Sequence, residues 1–291
     1  MPLAALGKNC YSRAMKHAGA ALQAVRRVAA DDDWSISIVD CAAGPDTPAF
    51  EESHQRYSIA AVVAGTFQYR TGAGSALLYP GAAMLGNAGA CFECGHDHGV
   101  GDRCVAFHFS PALFEEIAAS VGGTSRYRFG APALAAGADL APQIADISAL
   151  AAGARILAAG DIAIRWAERV IAAASGAVAT SARVSARDER RIARALRHIE
   201  GAVADPIDLD ALSSVAAMSK YHFLRTFRRV AGLTPYQHVL GLRLRRAALA
   251  LRAADEPIAS IALDAGFSDL STFNRRFRAV FGECPGRYRR R

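Results

Sequence analysis

Two stretches decide how this chain is read: SKYHFLRTFRRVAGLTPY, residues 219–236, and GFSDLSTFNRRFRAVFGECPGRY, residues 266–288. In each, two Phe stand four apart, a Gly follows five residues after the second, and a Pro three residues further on. Residues four apart share one helix face, so Phe223 with Phe227, and Phe273 with Phe277, mark two helices that each bury an aromatic pair. Ser219 caps the first helix and Gly232 closes it; Ser268 or Asp269 caps the second and Gly282 closes it. A short apolar helix precedes each one, LDALSSVAA in the first case and IASIALDAG after Pro257 in the second. An amphipathic helix, DERRIARALRHIEGAV, comes before both. Thr234-Pro235 starts a long helix between the units that reaches about Ala254.

Short helix, tight turn, basic helix is the layout of a helix-turn-helix, whose second helix enters the major groove of DNA. With the Phe pairs inward, Tyr221, His222 and Arg225 face outward in the first unit, and Leu270, Ser271, Asn274 and Arg275 in the second. Arg forks to guanine, Asn to adenine, and apolar groups touch the thymine methyl. Arg228, Arg229, Arg276 and Arg278 are expected at phosphates. The long helix is a rod of roughly 30 Å, close to the ~34 Å between major grooves on one face of the duplex. Two reading helices on one rod therefore address adjacent grooves.

Charge agrees with that reading. Residues 187–291 carry 20 Lys and Arg against 11 Asp and Glu, a balance of +9; the remainder carries 14 against 16, or −2. A basic back half points to a polyanion, and the uneven split points to two domains.

The last hundred or so residues resemble the DNA-binding domain of the AraC/XylS family of bacterial transcription regulators. SKYHFLRTFRRVAGLTPYQHV, LRLRRAALAL and PIASIALDAGFSDLSTFNRRFRAVFGECPGRYR carry the resemblance. It implies that Tyr221, His222, Arg225, Leu270, Ser271, Asn274 and Arg275 face bases. Leu224 and Leu270 are apolar at positions that are often polar in the family. The resemblance also implies a sensing front half of cupin type, a homodimer, double-stranded DNA as partner, RNA polymerase as a candidate partner, and a small-molecule or metal effector.

The front half fits an α+β reading. WSISIVD, YSIAAVVAGTFQY, ALLYPGAAML and CVAFHF are short β runs parted by Gly and Pro turns, expected to form a small cupin-like barrel. Helical patterns follow from Pro111 to about Ala179. The expected fold is two domains, a barrel with helices over 34–180 and an all-α, homeodomain-like helix-turn-helix pair over 188–291, joined by a linker at 181–187. Residues 1–33 read as a loose helix or arm. Stripes of Ile144, Ile147, Leu150 and Ala151, and of Ile162, Ile164, Trp166 and Val170, are candidates for dimerisation.

CFECGHDHGVGDRCVAFH, residues 91–108, concentrates chemistry. Cys91, Cys94, His96, His98 and Cys104 are candidate ligands for zinc or another transition metal, with Asp102 nearby. Thiol-based redox or electrophile sensing at Cys91 and Cys94, and plain strand packing of Cys104, Ala106 and His108, are the competing readings. Cys10, Cys41 and Cys284 read as structural. A metal-dependent cupin enzyme tethered to DNA is the reading from another class. Against it stands the absence of a Ser-His-Asp constellation, a Walker loop and a Rossmann fingerprint; no catalytic residue is assigned. Without a signal peptide pattern or an apolar run of about 20 residues, a cytoplasmic, reduced protein is expected.

Overall fold

The computed structural model describes residues 22–97, 99–122, 126–154, 159–176 and 184–290. They divide into two compact units, one drawn from Met1–Leu134 and Leu157–Ala179, the other from Ala135–Ile156 and Thr180–Arg291.

Among the described residues the first unit has ten strands: β1 (Gln23–Ala30), β2 (Trp34–Cys41), β3 (Phe50–Ser53), β4 (Tyr57–Gly65), β5 (Phe67–Thr71), β6 (Gly74–Leu78), β7 (Ala83–Gly86), β8 (Cys91–Gly95), β9 (Asp102–Phe109) and β10 (Ala133–Leu134). They form two antiparallel sheets, ordered β1-β2-β9-β4-β7-β10 and β3-β8-β5-β6. The expected barrel is thus an open two-sheet arrangement among the described residues, with β1, β10, β3 and β6 at the edges. Central β4 is buried over its first six residues, because both faces of the large sheet are covered. Helices α1 (Pro111–Gly122) and α3 (Ala159–Gly176) lie on the outer face. There the Phe107 and Trp166 rings are 6.3 Å apart, and Phe114 stacks on Tyr57 at 4.1 Å. On the inner face the Tyr69 hydroxyl of β5 donates to the Leu85 carbonyl of β7 at 3.2 Å.

Residues 22–33, expected within an arm, instead form edge strand β1 and a hairpin to β2, with Gln23 opposite Cys41 and Ala30 opposite Ser35. The Asp31 carboxylate accepts from the Asp33 and Trp34 N–H groups, so the acidic triplet is the turn. Residues 1–21, with Cys10, lie outside the described residues.

The second unit holds α2 (Ala141–Ala151), α4 (Ala186–Gly201), α5 (Leu209–Val215), α6 (Lys220–Ala231), α7 (Pro235–Ala253), α8 (Ile258–Asp264), α9 (Leu270–Phe281) and α10 (Pro285–Arg289). Ser185 caps α4, which therefore begins inside the stretch expected as linker. Helix α2, expected with the sensor, packs here: Ala145 joins the core of Leu244, Ala248, Leu251, Phe273 and Phe277, and Asp146 pairs with Arg252 at 2.6 Å. Ile144, Ile147, Leu150, Trp166 and Val170 are all buried. Ala151, Ile162 and Ile164 of the same stripes are half-buried.

Candidate functional site

The two reading helices are built alike. Ser219 accepts from the His222 N–H at 3.4 Å at the start of α6, and Asp269 from the Thr272 N–H at 2.7 Å at the start of α9. Both helices end on a left-handed glycine, Gly232 at φ 72° and Gly282 at φ 78°. Thr234 and Gln237 make a reciprocal capping box at the start of α7. Phe223 and Phe227 are fully buried at 5.5 Å between ring centroids, and Phe273 and Phe277 at 5.4 Å.

Burying those faces turns the others outward. Tyr221, Arg225, Arg228 and Arg229 are exposed on α6; Leu270, Ser271, Asn274, Arg275, Arg276 and Arg278 are exposed on α9. Tyr221 is 75 % exposed, and the Arg225 guanidinium lies 5.9 Å from its ring centroid. His222 departs from expectation: half-buried, its Nε2 lies 3.5 Å from an Asp188 carboxylate oxygen of α4, so it turns toward that helix. A shallow groove along α9 is lined by Asn274, Arg275, Arg278 and the Cys284–Gly286 turn. Helix α10 was missed in the sequence; Pro285 at its first position and buried Tyr288 are its signals, and it exposes Arg287, followed by exposed Arg290 at its C-cap.

A second concentration of chemistry lies at one end of the two sheets in the first unit. His96 follows β8 and is 2 % exposed; its Nε2 is 2.7 Å from an Asp102 oxygen on β9. The Cys104 thiol donates to the other Asp102 oxygen at 3.5 Å. Cys41 ends β2 directly opposite Asp102 in the ladder. Burial opposes protonation of His96, yet hydrogen bonds to Asp102 and Cys41 outweigh it and push its pKa up to about 9. Burial, with the Asp102 charge nearby, pushes the Cys94 and Cys104 thiols well above the usual range.

Of the expected ligands, His96 and Cys104 meet here and Cys94 is buried close by. Cys91 is disulfide-bonded and not a free thiol, so it drops out as a ligand. His98 lies outside the described residues. Cys94 is a buried thiol whose pKa is pushed up, unlike the exposed low-pKa thiol that redox sensing uses. Cys41, expected to be structural, is drawn in by strand register; no local spacing to residues 91–108 could have found it.

Comparison with known proteins now bears on the helical unit. Residues 212–291 match the helix-turn-helix domain family. Regulatory protein SoxS of Salmonella typhimurium is 34% identical over 93 residues, covering 32% of this chain and 87% of that protein. The right origin-binding protein of Escherichia coli K12 is 37% identical over 92 residues, 32% of each chain. This chain therefore spans only about a third of that relative's length. An AraC-type DNA-binding domain structure from Chromobacterium violaceum is 26% identical, covering 36% of this chain and 95% of that one, with a TM-score of 0.34. The chain belongs to the AraC/XylS family of DNA-binding transcription regulators. No helix among the described residues is long and apolar enough to cross a membrane.

Proposed function

We propose that the protein is a sequence-specific transcription regulator in which α6 and α9 read two major grooves of double-stranded DNA. Its two-sheet unit, an open relative of the expected cupin-like barrel, senses a small molecule or metal. The observation that carries the DNA reading is the pair of capped helices, each with a buried Phe pair and an exposed Arg-bearing face. Arg225, Asn274 and Arg275 are the base readers; Arg228, Arg229, Arg276 and Arg278 hold phosphates. Helix α7, at 19 residues, is a rod of about 28 Å, which suits adjacent grooves. Homodimerisation and a contact to RNA polymerase belong to the same reading.

The test selects a preferred duplex from a random pool with the full chain and compares it with scrambled DNA. Arg275→Ala is expected to weaken binding to the preferred site by ~1–3 kcal/mol and to scrambled DNA much less. Equal losses on both would reduce Arg275 to a phosphate contact. Affinity should fall steeply with salt as several Arg displace counterions; a flat salt response contradicts the DNA assignment.

A further inference from the structure

The geometry points to a zinc-class metal site formed by Cys41, His96 and Asp102. Ligand atoms of the first three lie within 4.8 Å of one another. They come from three separate elements: the end of β2, the loop after β8 and the start of β9. Strand register puts Cys41 directly across from Asp102, which sets their side chains on one face. The Gly99 N–H donates to the His96 carbonyl at 3.3 Å, and the Gly101 N–H to the Ala43 carbonyl at 2.8 Å.

The chemistry of the set suits a borderline-soft dication. One sulfur, one imidazole nitrogen and one carboxylate oxygen is a mixed set that zinc takes, leaving the fourth position open. Tetrahedral zinc places its ligand atoms about 3.3–3.8 Å apart. His96 Nε2 and Asp102 Oδ2, at 2.7 Å, need to separate by less than about 1 Å, exchanging their direct hydrogen bond for bonds to the ion. The charge balances with the Cys41 thiolate, the Asp102 carboxylate and neutral imidazole around a divalent ion; the displaced protons go to solvent. Both side chains of the His96–Asp102 pair are at most 6 % exposed, so the ion would sit in a dry site.

This deepens the metal branch of the sensor reading. Metal binding is tested apart from any effect on DNA, so either can fail alone. The reduced full-length chain is titrated with Zn2+ against a chromophoric chelator, then loaded with Co2+ for its sulfur-to-cobalt absorption. One zinc per chain is expected, together with a thiolate–cobalt band. Cys41→Ala should abolish that band or lower affinity at least about 10-fold, as should the near-isosteric Asp102→Asn. Cys284→Ser, at an exposed turn, should change neither. A wild-type chain that competes for no zinc overturns the site, as does a cobalt complex lacking a sulfur band. So does binding that survives both Cys41→Ala and Asp102→Asn. Zinc binding with DNA affinity unchanged by the metal keeps the site and removes the metal from the sensor reading.

Discussion

The two helix-turn-helix units repeat each other with an offset of 50 residues from the cap of the second helix to the proline after it, yet their cores are filled differently. Phe223 and Phe227 match Phe273 and Phe277, Gly232 matches Gly282, and Pro235 matches Pro285. Ala231 of the first unit stands where the second has Phe281, and His238 where it has Tyr288. Phe267, Phe273, Phe277, Phe281 and Tyr288 make a continuous aromatic cluster, with Phe277 and Phe281 stacked at 4.4 Å and Tyr288 5.3 Å from Phe277. In the first unit the chain of rings ends at His238, 6.0 Å from Phe227. Buried Ile192, Leu196 and Ile199 of α4 supply apolar bulk beside the first unit, whereas Ala145 of α2 and Leu244 and Leu251 of α7 join the aromatic cluster of the second. The same outward geometry is thus reached through two cores of different chemistry.

The largest effect expected from this difference lies in the Phe pairs. Phe277→Ala and Phe227→Ala should each cost about 3–5 kcal/mol of stability. Chemical denaturation with local hydrogen-exchange readout should show α9 opened by the first and α6 by the second. Loss of both helices together in either variant would mean that the unit melts as one core.

The buried histidine should separate the units by pH. Burial, helped by the Arg245 charge, lowers the His238 pKa to about 3. In the unfolded chain the same ring titrates near 6.5. Between those values the unfolded state binds a proton that the folded state refuses, so this stabilisation is complete above about 6.5 and shrinks as pH falls toward 3. In the second unit, hydrogen bonds from Thr272 lower the Asp269 pKa, and that contribution is lost only in acid below the ordinary carboxylate range. At pH 5, exchange corrected for its intrinsic pH dependence should show α6 loosened and α9 unchanged, and His238→Tyr should erase the contrast. Equal loosening would break it.

The smallest contrast is in the turns. Ala217 after α5 and Gly266 after α8 both have positive φ, 52° and 91°. The first turn reaches its cap two residues after Ala217, the second three after Gly266. A Cβ on Gly266 would meet Arg243 Nε at 2.7 Å and the Ala204 carbonyl at 2.9 Å. Arg243 itself donates to the Val203 and Asp205 carbonyls at 2.8 and 2.7 Å. Gly266→Ala should therefore cost about 1–3 kcal/mol. Ala217→Gly should stay within roughly 0.5 kcal/mol, relief of left-handed strain offsetting added backbone freedom. Thermal melting of the two variants measures the difference, and equal shifts would show that the Arg243 contact carries no weight.

The helical unit was legible because its signals are local. A cap, a Phe pair at one-turn spacing, a glycine and a proline specify each helix within about 17 residues, and that spacing alone sets which arginines face out. Ser219, Thr234 and Asp269 cap where such residues were expected. His222 escaped because its partner, Asp188, is on another helix. The sheets are the opposite case. Alternation marked the strands, but which strands pair, and whether the sheet closes, depends on contacts between segments far apart in sequence, and residues 22–30 lacked the usual strand composition. The grouping of Cys41 with His96 and Asp102 has the same origin. Sequence by itself determined the helix-turn-helix pair and its basic face, since helices are encoded at separations of three and four residues. Only the tertiary structure decided the open sheets, the placement of α2 and the grouping of Cys41, His96 and Asp102, because register and packing bring together residues that no local period relates.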